Sequence, residues 1–274
     1  MSVLNKQDIT NLYVWLDNNL PRLNDPTKGG RPSKLENSEL VSILIWNTLT
    51  ARQKLLKDIY SWIKMEYDKE FPSLPNYGNF VKHIHRVLPL CMWALNELLD
   101  SNTPLRIMDS TMLPVCKLVR ADRHKVAKDI AKFGKNHQGW HFGFKLHMSI
   151  NPKGQLAGLV FTPANASDSQ QMKKILNRFT KVAVGDGGYT ASVMQRAVWE
   201  KYGTIIISPS HPKQRKKVMT DWQYKLLKSR PRIESVFDYL KEHLHLVSSF
   251  PRSVMGYLVH YIRILLGYQV MALS

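Results

Sequence analysis

The pattern of apolar residues changes once along this chain, near residue 104, and that change limits what it can fold into. Upstream the spacing is helical. Residues 7–20 place Ile9, Leu12, Tyr13 and Leu16 one helical turn apart. Pro21 and the Gly- and Pro-rich stretch 24–32 break that run. Ser38 is the expected N-cap of a helix through Leu40, Ile43, Leu44 and Leu49, and a further helical run covers 55–67. Residues 80–99 predict two short helices divided by Pro89. Such short helices suit either a helix-turn-helix DNA reader or an ordinary bundle. Downstream the pattern becomes that of strands, at 105–108, 140–148, 156–161, 181–185 and 204–207. Helices are expected from Ser169, with Met172, Ile175, Leu176 and Phe179 on one face, then over 191–202 and from Asp221 onward. The order β-β-β-α-β-α-β-α predicts the α/β class, with an α+β mixed sheet flanked by helices. The expected division is therefore a helical region over 1–100 and a sheet-containing domain over 101–274.

Charge narrows the function. Lys and Arg outnumber Asp and Glu by 39 to 21, for a net charge of +18. An excess of that size predicts salt-sensitive attraction to a polyanion, and nucleic acid is the obvious one. Lys6, Asp8 and Asp17 argue against a signal peptide. The apolar stretch 257–268 is interrupted by His260 and Arg263, so it reads as a buried helix rather than a membrane span. Two cysteines, Cys91 and Cys116, lack any CxxC spacing. That argues against a disulfide framework or structural zinc and favours the cytoplasm.

Three acids stand out against this basic background. Asp109 follows the strand at 105–108, Asp186 follows the strand at 181–185, and Glu234 lies on the helix after the last strand. Taken singly, each has an ordinary structural reading as a turn residue, a cap or part of a solvated charged face. Together they can gather hard oxygen ligands around divalent cations, which suit phosphoryl transfer. The glycines around Asp186 permit either an unusual turn or the close approach of metal and phosphate. Arg230 and Lys241 share the predicted helix with Glu234, and Lys241 lies seven residues, or two turns, further on. His147 and Lys145 alternate onto one face of the strand at 140–148 and predict a DNA-facing surface. Arg123, in the basic segment 117–135, and Lys213, Arg215, Lys216 and Lys217 in the loop 211–217 are candidates for DNA backbone contacts.

The acid set and its element order resemble the DDE transposases of bacterial insertion sequences. In that family the first Asp lies on the first strand, the second just after the fourth, and the Glu on a later helix. The separations here are 77 and 48 residues. The second is too short for the large β insertion some relatives carry. Arg230, Glu234 and Lys241 are similar to a Tyr-Arg-Glu-Lys signature of one branch, although its Tyr position is Leu227, with Tyr224 one turn earlier. The segment 139–147 looks like the family's second strand, and 30–35 resembles part of its helical DNA-binding region.

The resemblance implies a ribonuclease-H-like catalytic domain preceded by an all-helical DNA-binding region. It implies two Mg²⁺ ions, with Mn²⁺ as the substitute, held by Asp109, Asp186 and Glu234. The implied reaction is nicking of element ends followed by joining of the freed 3′-OH to target DNA. Double-stranded DNA would be the partner, both as terminal inverted repeats and as target, and the protein would act in the cytoplasm at the nucleoid as a dimer or larger assembly, without a membrane. Two alternatives are a nuclease of the same fold that never joins strands and a DNA-binding protein that does not cut.

Overall fold

The computed structural model describes residues 9–21, 34–209 and 218–273, and these form two compact units. The first comprises Met1–Leu98, His243–Leu246 and Phe250–Ser274; the second comprises Leu99–Glu242 and Val247–Ser249.

The first unit is helical where described: α1 (Ile9–Asn19), α2 (Asn37–Leu49), α3 (Leu56–Glu66), α4 (Tyr77–Arg86), α5 (Leu88–Leu98) and the C-terminal helix, called α10 below (Val254–Leu273). Helix α2 is capped by Glu36, through a reciprocal capping box with Glu39, rather than by Ser38. Ser38 lies inside the helix and donates to Asp17 Oδ1 at 2.8 Å. The break between α4 and α5 falls at Val87, with Pro89 in the first turn of α5, where its missing N–H costs nothing. Helix α10 is buried almost all round from Tyr257 to Val270. A helix without a polar face needs cover on several sides, which explains why it packs on α2 and α5 and groups with the first unit. Among the described residues, no helix is long and apolar enough to cross a membrane.

The second unit holds a six-stranded mixed sheet: β1 (Leu105–Pro114), β2 (Lys132–Asn136), β3 (Gly139–Ile150), β4 (Leu156–Pro163), β5 (Val182–Val184) and β6 (Ile205–Ile207). β3 pairs antiparallel with β1, and its other edge takes β2 along Gly139–Gly143 and β4 along Phe144–Ile150. On the far side of β1, β5 and β6 run parallel to it. Two features differ from the sequence expectation. Strand β2 lies in the basic segment, whose alternation is hidden by Lys132 and Lys135. Strand β1 continues six residues past Met108, because β3 pairs with it as far as Pro114.

Helices α6 (Asp168–Ile175) and α7 (Ser192–Tyr202) cover one sheet face, where Met108, Met172, Ile175, Ala183, Tyr189 and Val198 form a core. Phe179 lies beyond the end of α6 and is exposed, not on its buried face. After β6 the region expected as one long helix divides into α8 (Asp221–Leu227) and α9 (Pro231–Asp238), with Pro231 at the start of the latter. A π-helical turn, Tyr239–His243, follows.

Candidate active site

The parallel register of β1 and β5 brings two of the three acids together. Ile107 pairs with Val184, and Asp109 and Asp186 each lie two residues further along. The 77-residue offset that aligns the strands therefore also aligns the acids. Asp109 is not at a strand end but within β1, just past the point where β5 stops pairing. One residue beyond the core-facing Met108, it turns to the opposite face from α6.

The electrostatics agree with this placement. Burial, first, and then the negative charges of Asp186 and Asp168 push the Asp109 carboxyl up to about 7; the Ser110 N–H and the Arg230 charge act the other way. Ser110 N donates to Asp109 Oδ1 at 2.7 Å. Asp186 caps a short 3-10 turn, Gly187–Tyr189, and accepts from Gly188 N at 2.8 Å. None of the three glycines here has a positive φ. Gly185 is needed for space: a Cβ there would meet Tyr189 Cδ2 at 2.7 Å and Met108 Cε at 3.0 Å. The glycine therefore lets the Tyr189 ring pack beneath the acids. Burial and then the charges of Asp168, Asp109 and Asp186 push the pKa of the Tyr189 hydroxyl well above its ordinary value.

Glu234 comes from α9, which packs on β1. It is paired one turn back with Arg230, and both side chains are partly exposed. Arg230 thus joins Glu234 directly while its charge also acts on Asp109. Lys241 lies in the π-helical turn, so the wider turn replaces the regular two-turn spacing expected from Glu234. Burial lowers its pKa, offset by Asp238, Glu242 and Asp109. Both cations expected around the last acid therefore act on the first.

The face expected to meet DNA is instead closed. Lys145 is 8% exposed and His147 0%. Lys145 Nζ donates to Ala166 O at 2.9 Å and lies 3.2 Å from Asp168 Oδ1. His147 Nδ1 lies 3.3 Å from the same oxygen, and its Nε2 pairs with Thr162 Oγ1 at 2.8 Å. The cause is the first turn of α6, which seats Asp168 over these two side chains. Burial works to raise the Asp168 carboxyl, but hydrogen bonds from His147 and Ser110 and the Lys145 charge hold it below the ordinary carboxylate range. Sequence reasoning passed over Asp168, which reads as a routine first-turn acid. The available signal was the alternation of Lys145 and His147, two polar side chains on a strand face that needs a partner once a helix covers it.

Arg123 is exposed in a 3-10 turn, Leu118–Arg123. Lys213, Arg215, Lys216 and Lys217 lie outside the described residues. Tyr224 is exposed on α8, with Lys228 Nζ 4.9 Å from its ring centroid. Among the described residues, no group of three or more His, Cys, Asp or Glu side chains is gathered closely enough to hold a metal. The donor chemistry of Asp109 and Asp186 nevertheless fits a hard cation. Asp109 is pushed toward its protonated form by burial and then by the charge of Asp186, and a cation would relieve that cost.

The mixed sheet flanked by helices, with Asp109 on β1 and Asp186 just past β5, makes this an α/β protein with two acids at matched positions beside its central strands. A family model for the transposase DDE domain matches residues 100–254, more than half of the chain. The chain belongs to that family: it is a DDE transposase, an enzyme acting on DNA. The family generally uses divalent metals.

Proposed function

We propose that this enzyme nicks the ends of an insertion sequence and joins the freed 3′-OH to target DNA, using Asp109, Asp186 and Glu234. The observation that carries the proposal is the register-matched pair Asp109 and Asp186, with Asp109 held near neutrality by burial and by its neighbour. The strand order, with three antiparallel strands followed by two parallel ones across β1, supports a ribonuclease-H-like fold. The helices of the first unit support a DNA-binding role for residues 1–100.

Asp109, Asp186 and Glu234 would hold two Mg²⁺ ions, or Mn²⁺ in their place. When bound, such ions supply an activated oxygen nucleophile and stabilise the leaving oxygen. The remaining steps belong to the chain. Asp109 must be ionised to act as a ligand, and Ser110 N–H and Arg230 favour that form. Arg230 and Lys241, the signature cations on either side of Glu234, would grip the scissile or adjacent phosphate, and Arg230 would leave Glu234 to do so. Asp168 acts from the opposite face of β1 as a positioning residue, holding Lys145, His147 and Ser110. Exposed Arg123 and the loop at 213–217 would contact DNA backbone. Joining requires two paired ends, so a dimer or larger assembly on terminal inverted repeats is expected.

The test is a labelled duplex carrying the sequence that flanks this gene, incubated with the full chain, Mg²⁺ and a target plasmid. Nicked ends covalently joined to the plasmid are expected. Cutting without joining would point to a nuclease, and binding without cutting to a non-catalytic DNA-binding protein.

A further inference from the structure

The first unit contains a hollow of about 330 Å³ between α3, α4 and α10, with apolar side chains and four cations in its wall. Lys54, Lys57, Arg252 and Arg263 are those cations; burial lowers the pKa of the lining His85 and His260, the latter to about 3, and among the described residues no Asp or Glu lines the hollow. Asp58 lines the adjoining hollow instead.

Arg263 is the informative member. It is 3% exposed, yet its acceptors carry no formal charge: Gln53 O at 3.0 Å, Lys54 O at 3.2 Å, Asn47 Oδ1 at 3.4 Å and His260 Nδ1 at 3.4 Å. Among the described residues no carboxylate lies within ion-pair distance of it. Burial alone lowers its pKa, to about 10. Arg106 in the second unit is a useful contrast. It is equally buried and also bonds carbonyl oxygens, but the Asp100 charge helps to hold its proton. A buried cation without a counter-charge is costly, and the cost falls if an anion can reach it. Arg263 lies in the wall of a space where an anion can sit. Exposed Lys57 and Arg252 at the same wall add charge without closing that space.

We propose that this hollow is an anion site that takes a phosphate group, with Arg263 as its buried anchor and Lys57 and Arg252 as its rim. Two sources share that chemistry, a phosphate of the nucleic-acid backbone and a free phosphate. Tyr77 and Phe250, exposed aromatic side chains also in the wall, suit a nucleotide neighbour. The site is separate from the acids of the second unit, so it does not depend on the strand-transfer reading.

Thermal unfolding of the full chain tests this, with inorganic phosphate and a short single-stranded oligonucleotide as separate probes. Four proteins are compared: wild type, Lys57→Ala/Arg252→Ala, Arg263→Met, and Lys174→Ala/Lys181→Ala, two exposed lysines outside any site described, as a charge-matched control. Both rim residues are exposed, so the rim variant should fold even if Arg263→Met does not. Phosphate should raise the Tm of wild type and control, and most of that rise should vanish in the rim variant. If the oligonucleotide shows the same pattern, with the slope of log affinity against log salt falling by about 1 per lost cation, the backbone is the source. If only inorganic phosphate shows it, a free phosphate is the ligand. A phosphate response in the rim variant equal to that of wild type would overturn the site.

Discussion

Each unit of this protein holds a local cluster of buried charge, acidic in the sheet-containing unit and basic in the helical one. In the sheet-containing unit, burial and then the charges of Asp186 and Asp168 push the Asp109 carboxyl up to about 7. In the helical unit, Arg263 lies in a basic hollow with neutral acceptors only. The same physics applies to both. Taking a charge out of water raises its free energy, and a like neighbour raises it further. The difference lies in how each unit treats the cost. Asp168 is compensated internally, by hydrogen bonds from His147 and Ser110 and by the Lys145 charge, whereas Asp109 is only partly compensated by Arg230. The lesson is that the uncompensated charge, rather than the buried one, marks where a ligand of opposite sign is expected.

The strongest attempt to break this contrast is removal of an uncompensated acid. Asp109→Ala or Asp186→Ala should lower strand cleavage by at least ~10³-fold, the scale seen when a group acting in the transition state is lost. Duplex binding, measured by fluorescence anisotropy, should be kept. Arg106 gives the structural counterpart. Its guanidinium bonds Ala157 O, Ile175 O and Ser101 O, so Arg106→Met should cost about 3 kcal/mol in denaturant unfolding, through acceptors left buried and unpaired. Phosphate should not restore it.

Asp168 sharpens the comparison at smaller scale. Asp168→Asn keeps the shape but leaves Lys145 buried without its carboxylate, and cleavage should fall by roughly 10- to 100-fold, as for residues that orient metal ligands. The Mg²⁺ concentration for half-maximal rate should rise, which loss of folded protein alone would not produce.

The smallest effect is one of pH. The folded chain holds a proton on Asp109 over a range where the unfolded chain has lost it. Its stability contribution therefore declines as pH rises from about 4 to about 7. A divalent cation competes with that proton. The Mg²⁺-induced rise in Tm should be small at about pH 5, grow through about pH 7 and vanish in Asp109→Asn.

Much of the catalytic unit was legible in the sequence because its strands are short apolar runs set between turn residues. Val182–Val184 and Ile205–Ile207 follow that pattern. Strand β2 was not legible, since at the sheet edge Lys132, Gly134 and Lys135 are tolerated without an apolar alternation. Asp109 and Asp186 were legible through the elements they follow, but their pairing came from a register that no local pattern encodes. Lys145 and His147 misled for a related reason. Alternation gives a shared face, not what covers it, and the cover comes from a helix that starts more than twenty residues later, at Asp168. Pro231 hinted that the last helical region divides, and the π-helical turn beyond it has no comparable sequence marker.

Glu234 is the member of the acid set with the weakest structural tie, being paired to Arg230 and not among the charges that shift Asp109. Asp186 and, more weakly, Asp168 are the acids that do shift it. The decisive measurement is therefore the rate of end joining by Glu234→Gln set beside Asp168→Asn, in Mg²⁺ and with duplex binding verified for both. Joining should be abolished in Glu234→Gln and only weakened in Asp168→Asn. Joining retained in Glu234→Gln and abolished in Asp168→Asn would contradict this and make Asp168 the third catalytic acid.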